Sequence, residues 1–274
     1  MKIEIDTKLN IDESIKVLDR GLVQLNDFMV KDPALKIVNA ARVSFQKEVS
    51  EITEKDIKLI QFLYKHNHFS TFRHSYFTHK FKMPLCVARQ FWKHQVGCEW
   101  IESDCFTGSG GIELPSTSWN EVSGRYVEFL PEFYIPSDIR KQSTNNKQGS
   151  SDEIVKELYQ YSIYEEDTRR SADVAPVLYS SDPVQVFEDS CMRQYRDYEM
   201  FVKNGTAKEI ARMLLPQNLY SECILTWSLQ AILYFLHLRL APTAQLEIRE
   251  YAKAVYETIK PVLETIQVDI EVAK

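Results

Sequence analysis

Residues 72–95 read FRHSYFTHKFKMPLCVARQFWKHQ, a strand-like segment followed directly by a helix-like one. From Phe72 to Met83 the segment is rich in Tyr, Phe and Thr, which favour β-strands. Pro84 suits the first turn of a helix, and we expect that helix to run through Gln95. The stretch therefore predicts a chain that combines strands with helices.

Signals on both sides of this stretch extend the prediction. Asp32-Pro33 and Asp182-Pro183 are typical helix starts, as is Thr53 three residues before an acid. Asn204-Gly205 is a typical helix end. Alternation of apolar and polar residues predicts short strands. We expect strands at 2–6 and 21–28, and helices at about 33–45, 54–66, 84–95, 183–204, 206–216, 219–239 and 243–266.

The predicted fold class is α+β, with a mixed or antiparallel sheet and a helical second half. A chain of 274 residues can bury a core, and we expect a single elaborated domain over 1–274. Residues 98–117 predict an inserted loop, and the polar residues 141–151 predict a mobile one. The most apolar stretch, 223–240, is interrupted by polar residues, which favours a buried helix over a membrane span.

Composition narrows the class of function. The net charge of −6 and the sequence pI near 5.6 argue against a general nucleic-acid binder. A small phosphorylated substrate remains compatible with that charge, because a few cations are enough to hold one phosphate. The five cysteines, an odd number without a C-x-x-C pair, indicate a reducing cytoplasm. The acidic N-terminus does not resemble a signal peptide.

Several common catalytic motifs are absent from the sequence. It contains no P-loop, no dinucleotide-binding G-x-G-x-x-G, no G-x-S-x-G and no H-E-x-x-H. His66 and His68 have no carboxylate pattern beside them that would complete a metal site. We therefore expect neither a metal centre nor a P-loop function.

Three segments carry groups that suit chemistry. In 88–95, Gln90 and His94 are four residues apart and share a helix face. In 118–126, a hydroxyl, a glycine and Arg125 lie close together, which suits a phosphate cradle. In 209–220 and 236–239, Arg212 and Arg239 lie among apolar neighbours and need an anion or a carboxylate partner.

Each segment also has a simpler interpretation when it is taken by itself. Arg212 could form a structural ion pair with Glu209 or Glu247. Ser123-Gly124-Arg125 could be an ordinary turn. His94 could be a packed helix histidine. The combination of the segments decides between these interpretations.

Together the segments resemble the flavin-dependent thymidylate synthases. That family carries R-Q-W-F-R-H-R and N-E-x-S-x-R-Y, which correspond here to 89–95 and 120–126. Residues 41–45, 65–72, 132–136 and 211–220 also match, as does Leu238-Arg239 with Ala244-Gln245 behind it. The matches occur in the family's order and cover roughly 20–137 and 204–258, which makes the combination highly specific.

The resemblance implies a flavin-dependent thymidylate synthase fold and the reductive methylation of dUMP to dTMP. The methylene donor would be methylenetetrahydrofolate, and NADPH would reduce the enzyme through FAD. The family is a homotetramer with shared active sites, so we expect dUMP and folate as small-molecule ligands and no nucleic-acid or membrane partner. No cysteine nucleophile is needed, and Cys86 is interpreted as core packing.

The resemblance also implies roles for individual residues. Arg239 would face the pyrimidine, favour its N3-deprotonated form and so activate C5; Arg125 and Ser123 would complete the catalytic set. Arg212 would come from a neighbouring subunit. The residues assigned to dUMP are Gln90, Lys93, Glu121, Val122, Ser123, Gly124, Arg125, Arg212 and Arg239. Those assigned to FAD are Ser44, His68, Ser70, Lys93, His94, Gln95, Asn120, Glu121, Ser228, Gln230 and Tyr234.

The chain departs from the family pattern at several of these positions. The Arg-His-Arg triplet is Lys93-His94-Gln95, which loses both bidentate guanidinium forks and one of the two positive charges. The loop at 98–117 interrupts the signature, and Ser228, Gln230, Tyr234 and Arg73 replace commoner residues. Two other hypotheses remain: a paralogue that binds nucleotide or flavin without catalysis, and a helical nucleic-acid-binding module, which the acidic charge disfavours.

Overall fold

The structure is a computed structural model that describes residues 9–29, 32–94, 118–160 and 177–270. The predicted strand at 2–6, Gln95 and the predicted loop at 98–117 lie outside these ranges. The chain divides into a first unit, Met1–Val122 with Tyr220–Lys274, and a second unit, Ser123–Leu219. That residues 1–274 act as one domain stays a prediction.

Strands and helices follow one another in groups along the described residues. The strands are β1 (Ser14–Val17), β2 (Gly21–Phe28), β3 (Tyr76–Pro84), β4 (Trp119–Glu121), β5 (Arg140–Gln142), β6 (Ser150–Ile154), β7 (Leu158–Gln160), β8 (Val177–Ser180) and β9 (Tyr220–Ser228). The helices are α1 (Pro33–Arg42), α2 (Glu54–Lys65), α3 (Leu85–Phe91), α4 (Pro183–Lys203), α5 (Lys208–Ala211), α6 (Leu229–Arg239) and α7 (Leu246–Ile266). Short 3-10 turns cover Val43–Phe45, Phe69–His74 and Arg212–Leu214. The predicted α+β class is confirmed.

A five-stranded antiparallel sheet in the order β1-β2-β3-β9-β4 forms the base of the first unit. Its central strands β3 and β9 pair along their full length. Phe77 and Phe81 on β3 and Leu225 and Trp227 on β9 are buried at alternate positions. This period of two gives the sheet one apolar face that packs into the core.

Helices α6 and α7 cover the sheet. On α7 the buried residues Ile248, Tyr251, Val255 and Ile259 recur every three or four positions, so they form one apolar stripe. The stripe contacts β1 and β2, and α6 packs against β9 and α7. The helix α6 is buried on most sides, which explains why its sequence is apolar almost all round.

A buried histidine links the sheet to α7. Trp227 donates from Nε1 to Nδ1 of His79 at 3.0 Å, and Nε2 of His79 lies 2.9 Å from Oγ1 of Thr258. Because Nδ1 accepts, the ring proton lies on Nε2 and is donated to Thr258. The Thr258 hydroxyl in turn donates to the carbonyl of Val255 at 2.7 Å. Burial lowers the pKa of His79 to about 3, so the ring is neutral at pH 7.

The three helix starts predicted from Asp32, Thr53 and Asp182 are confirmed. The Asp32 side chain accepts from the amide of Leu35 at 2.8 Å and caps α1. Thr53 and Asp56 form a reciprocal capping box on α2, and the Asp56 carboxylate also pairs with Arg42. Asp182 caps α4 in the same way as Asp32 caps α1.

The predicted helix at 219–239 is wrong over its first half. Tyr220–Ser228 forms strand β9, and the helix begins only at Leu229, where Ser228 accepts from the amide of Ala231 at 3.2 Å. A short apolar run has no period that separates a buried strand from a buried helix, so pairing with β3 decides the outcome. None of the helices in the described ranges is long and apolar enough to cross a membrane.

Other predicted boundaries also differ. Helix α3 ends at Phe91 instead of running on to residue 95, and 206–216 is a four-residue helix followed by a 3-10 turn. The predicted loop at 141–151 is shorter than expected, because its ends pair as β5 and β6, with Gln142 opposite Ser150. That this loop is mobile stays a prediction. In the second unit, β7 pairs with β8, and Phe133 bridges to Leu219.

Candidate functional site

A histidine and an arginine from distant parts of the chain meet beyond the end of α3. His94 is 1% exposed, and its Nε2 accepts a hydrogen bond of 3.3 Å from Nε of Arg239, the last residue of α6. Phe235 lies edge-on to the imidazole, with ring centroids 5.1 Å apart, and Tyr234 lies 5.7 Å away. The imidazole is thus held by the guanidinium and two aromatic rings.

The electrostatic surroundings fix the protonation of His94. Burial and the positive charges of Arg239 and Lys93 lower the pKa of His94 to about 4, so it is neutral at pH 7. Because Nε2 accepts from Arg239, the proton lies on Nδ1. Within the described residues this buried Nδ1 has no hydrogen-bond partner. A buried donor without a partner is costly, so it marks a place where a ligand acceptor fits.

Arg239 keeps its charge although it is half buried. Burial lowers the pKa of its guanidinium, and the neighbouring Tyr234 acts in the opposite direction. An arginine starts from so high a pKa that it stays protonated at neutral pH. The site therefore presents a fixed cation in a partly desolvated setting, where it would stabilise an anionic ring strongly.

Glu121 on β4 is held on both carboxylate oxygens. Ser221 donates to Oε1 at 2.9 Å, and Nε1 of Trp119 donates to Oε2 at 3.1 Å. Trp92, just after α3, packs edge-on against Trp119 with ring centroids 6.0 Å apart. This aromatic contact brings the β4 residues next to the end of α3. Asn120, between Trp119 and Glu121, is exposed.

The residues assigned to FAD in the 3-10 turns are all exposed. Ser44 lies in the turn after α1, and Ser70 lies in the turn Phe69–His74, which His68 precedes. The His68 ring stacks on Phe62 with centroids 6.2 Å apart. The side chains are therefore accessible to a ligand.

The turn Phe69–His74 is tied to α6 by one side-chain contact. Arg73 donates from Nε to Oε1 of Gln230 at 2.5 Å. Both residues depart from the family pattern, and here they are hydrogen-bond partners of one another. Tyr234, one turn further along α6, is half exposed beside His94. The described FAD residues thus all belong to the first unit.

The second unit contains the phosphate-cradle segment. The amides of Tyr126 and Val127 donate to the carbonyl of Ser123 at 3.0 and 3.1 Å, so the segment is a turn, as the simpler interpretation states. The amide of Arg125 lies 3.3 Å from Oγ of the same serine. A Cβ at Gly124 would lie only 2.4 Å from Cε2 of Phe129, so glycine is required for space.

Two arginines of the second unit differ from the simpler expectation. Nε of Arg125 lies 3.6 Å from a carboxylate oxygen of Glu209. The expected burial of Arg212 is wrong: the residue is exposed, and Glu209 pairs with Arg125 instead. The Cδ of Arg212 lies 3.2 Å from the position of a Cβ at Gly124, so the two arginine segments adjoin.

The cysteines in the described ranges, Cys86, Cys191 and Cys223, take no visible part in this chemistry. Cys86 packs against the core from α3, as predicted, and burial together with Glu247 raises the pKa of its thiol. Burial also raises the pKa of the Cys191 and Cys223 thiols. Protonated thiols are poor nucleophiles. Among the described residues no His, Cys, Asp and Glu group has the arrangement of a metal site.

The sequence did not predict the residues that hold the assigned site residues Glu121 and Gln90 in place. Trp119 and Ser221 fix Glu121, while Gln245 accepts from Nε2 of Gln90 at 2.8 Å and donates to Glu247 at 2.8 Å. Only Gln245 carried a signal, since it lies in the matched segment after Arg239. Partners that meet through tertiary packing leave no local pattern.

Comparisons with known proteins identify the family of this chain. The family described as "Thymidylate synthase complementing protein" matches residues 24–264. A flavin-dependent thymidylate synthase of Thermus thermophilus is 35% identical over 247 residues, which span 90% of this chain and 74% of that protein. One from Kosmotoga olearia is 32% identical over 246 residues, or 90% and 88% of the two chains.

A solved structure is similar as well. The crystal structure of the UMP/dUMP methylase PolB from Streptomyces cacaoi, bound with 5-Br dUMP, matches with a TM-score of 0.62. It shares 22% identity and covers 95% of this chain and 100% of its own, which shows a common fold. From the family match and the relatives' identity, we conclude that this chain belongs to the flavin-dependent thymidylate synthase family.

Proposed function

We propose that this protein methylates dUMP to dTMP with the help of a bound flavin. Its relatives in Thermus thermophilus and Kosmotoga olearia carry the name of that activity at 35% and 32% identity. The observation that carries the proposal is the pair of Arg239 and His94, a charged guanidinium held at 3.3 Å by a neutral, buried imidazole. Such a pair suits the activation of a pyrimidine.

The chemistry defines which co-substrates the reaction needs. A methyl group at C5 of dUMP requires a methylene carbon and two electrons, while the C5 hydrogen leaves as a proton. Methylenetetrahydrofolate would supply the carbon, and NADPH, through FAD, the electrons. We propose these two co-substrates, a homotetramer and a cytoplasmic location on the basis of the resemblance.

Observed groups of the first unit fit a flavin. The buried Nδ1–H of His94 needs an acceptor, and an isoalloxazine offers carbonyl oxygens and ring nitrogens. When it is bound, the flavin supplies the hydride. The proposed set that holds it is Ser44, His68, Ser70, Lys93, His94, Gln95, Asn120, Glu121, Ser228, Gln230 and Tyr234.

The residues assigned to dUMP would form two groups, one that contacts its pyrimidine and one that contacts its phosphate. Arg239 would stabilise negative charge on the pyrimidine, which develops when N3 loses its proton and C5 becomes nucleophilic. The hydrogen bond with His94 would hold the guanidinium in place without adding a second charge. Arg125, with Ser123 and Gly124, would bind the phosphate, and Arg212 of a neighbouring subunit would add a further cation.

A purified preparation tests the proposal directly. Bound oxidised flavin should give the protein a yellow colour and the flavin absorption bands. With NADPH and methylenetetrahydrofolate it should convert dUMP to dTMP, which chromatography of the nucleotides would detect. A colourless protein that neither binds flavin nor converts dUMP would overturn the proposal.

The altered triplet favours one specific competitor. Lys93 replaces an arginine and so loses the bidentate fork. If that loss had ended catalysis, dUMP would still bind, but no dTMP would form under any of these conditions. Restoring the fork with Lys93→Arg should then restore turnover, whereas a working enzyme should be active before and after the change.

A further inference from the structure

Three side chains of the first unit form a chain of hydrogen bonds that starts at Gln90 on α3. Nε2 of Gln90 donates to Oε1 of Gln245 at 2.8 Å, and Nε2 of Gln245 donates to Oε2 of Glu247 at 2.8 Å. Gln245 is the exposed N-cap residue of α7. Glu247 lies in the first turn of that helix and is 3% exposed.

The buried carboxylate sets the direction of the whole chain. An ionised carboxylate only accepts hydrogen bonds, and the first turn of a helix is a favourable place for its charge. Gln245 must therefore turn its NH₂ group towards Glu247 and its carbonyl towards Gln90. Gln90 in turn must offer its own NH₂ group to Gln245. An amide alone could be rotated by half a turn, but this one is fixed by its neighbours.

The fixed direction leaves one particular atom of Gln90 available. Its Oε1 receives no hydrogen bond from the described residues, while Nε2 is engaged. The chain continues from the end of α3 at Phe91 to Lys93 and His94, and Gln90 is only half buried. Gln90 thus presents a hydrogen-bond acceptor of settled orientation beside the candidate site.

We propose that Gln245 and Glu247 are positioning residues that fix the Gln90 carboxamide with Oε1 as the acceptor for a hydrogen-bond donor of dUMP. The inference rests on the proposed function, since it takes dUMP as the ligand. Two groups of dUMP can donate such a bond, the 3′-hydroxyl and, before N3 loses its proton, the N3–H. Both share one chemistry, and analogues separate them.

The first measurement is the affinity of the flavin-loaded protein for dUMP by calorimetry. Gln90→Ala removes one hydrogen bond and should weaken binding roughly 3- to 10-fold. Gln245→Ala should weaken it by about 2- to 5-fold, because a freely rotating amide presents its carbonyl only part of the time. The double variant should bind no more weakly than Gln90→Ala, since both changes remove one and the same interaction.

Analogues give a readout that a purely structural role would not move. Dideoxyuridine monophosphate lacks the 3′-hydroxyl, and N3-methyl-dUMP lacks the N3–H. The wild type should prefer dUMP over one of the two analogues by a ratio that falls to near one in Gln90→Ala and Gln245→Ala. The analogue that the wild type binds less tightly than dUMP identifies which of the two groups donates the hydrogen bond to Gln90.

Exchanging the two partners offers a rescue. Glu247→Gln removes the obligate acceptor, so it should lower the preference for dUMP. When Glu247→Gln is combined with Gln245→Glu, the new carboxylate at 245 accepts hydrogen bonds from the amides at 90 and 247. The direction of the Gln90 carboxamide is then fixed again. The double exchange should therefore regain the preference even if its thermal stability is lower.

The control is Gln61→Ala, an exposed glutamine whose Nε2 bonds the main chain of Gln267 at 3.3 Å. Its dUMP affinity should equal that of the wild type. The inference is wrong if Gln245→Ala also binds like the wild type, or if its effect multiplies with that of Gln90→Ala. A wild type that fails to bind dUMP at all would instead overturn the proposed function and the inference with it.

Discussion

A half-buried guanidinium that bonds a neutral imidazole keeps its charge but loses much of its freedom to rotate. Arg239 is such a guanidinium. The pKa of His94 is so low that its imidazole is neutral at pH 7 and accepts the hydrogen bond from Arg239. The Lys93 charge contributes to that state, so the departure from arginine in the triplet still supports it. At the scale of the residue, the pyrimidine end of the proposed site depends on Arg239, a cation whose hydrogen-bond partner His94 is neutral.

Arg239→Ala should nearly abolish turnover, because it removes the charge that stabilises the pyrimidine anion. We expect a loss of at least about 100-fold in kcat, while flavin absorbance is largely retained. Steady-state dTMP formation measures kcat, and the visible spectrum measures the bound flavin. Arg20→Ala, an exposed arginine beside Asp19, is the control and should behave like the wild type. Activity within a few-fold of normal would contradict the role of Arg239.

Arg125→Ala should mainly weaken dUMP binding. A charge-assisted hydrogen bond to phosphate contributes about 1.5–3 kcal/mol, so Kd should rise roughly 10- to 100-fold. Calorimetric titration with dUMP measures the change. Lys141→Ala removes an exposed ion pair with Glu153 in the same unit and should leave Kd unaltered. Equal losses in both variants would indicate a general effect of charge.

Residue types and order made the candidate set recognisable from the sequence, but the partners were hidden. Glu121 and Gln90 were assigned from the family pattern, while Ser221 and Gln245 are brought to them only by the pairing of β4 with β9 and by the position of α7. Contacts between residues so far apart in the chain depend on packing, which no local window contains.

At the scale of the element, helix starts were predictable and the boundary between β9 and α6 was not. Asp32, Thr53 and Asp182 act through amides within three positions, so the signal and its effect are both local. Strand β9 exists because β3 and β4 flank it. Its apolar run is equally compatible with a helix until those neighbours are known.

Asp56→Ala should destabilise the first unit through α2. The carboxylate accepts from the amide and hydroxyl of Thr53 at 2.9 and 2.6 Å and pairs with Arg42 while almost fully buried. Losing the cap and leaving the guanidinium without its partner should lower the free energy of unfolding by about 2–4 kcal/mol. Urea unfolding measures it. Asp189→Ala, on the exposed side of α4, should change it little.

His79 should make the fold sensitive to acid. Its pKa is about 3 in the folded chain against 6.5 for a free histidine. Between these values the unfolded chain binds a proton that the folded chain does not, so the free energy of unfolding falls as the pH falls through this window. His79→Leu should reduce that dependence, at a cost of about 1–3 kcal/mol for the Trp227 donor left without an acceptor.

Chemical unfolding at several pH values measures the slope of the free energy of unfolding against pH for the wild type and for His79→Leu. His66→Gln, an exposed histidine, should keep the slope of the wild type. Protonation of His94 contributes in the same direction down to about pH 4, so the His79→Leu slope should be smaller and not zero. An unchanged slope would exclude His79 as a source of acid sensitivity.

At the scale of the whole molecule, the proposed tetramer predicts that subunits share their sites. If Arg212 serves a neighbouring subunit, Arg212→Ala and Arg239→Ala chains should each be inactive alone. Co-expression should yield mixed assemblies in which some sites combine an intact Arg212 with an intact Arg239. The dTMP activity of purified mixed assemblies should recover to a sizeable fraction of normal, whereas a site built within one chain would show no recovery.

The central ladder of the sheet joins two strands that leave the ribosome at very different times. β3 is complete early, and its hydrogen-bonding edge toward β9 must wait until the whole of the second unit has been translated. An unpaired strand edge in a nascent polypeptide invites association with other chains. Successful biosynthesis of this enzyme therefore depends on protecting β3 during that interval.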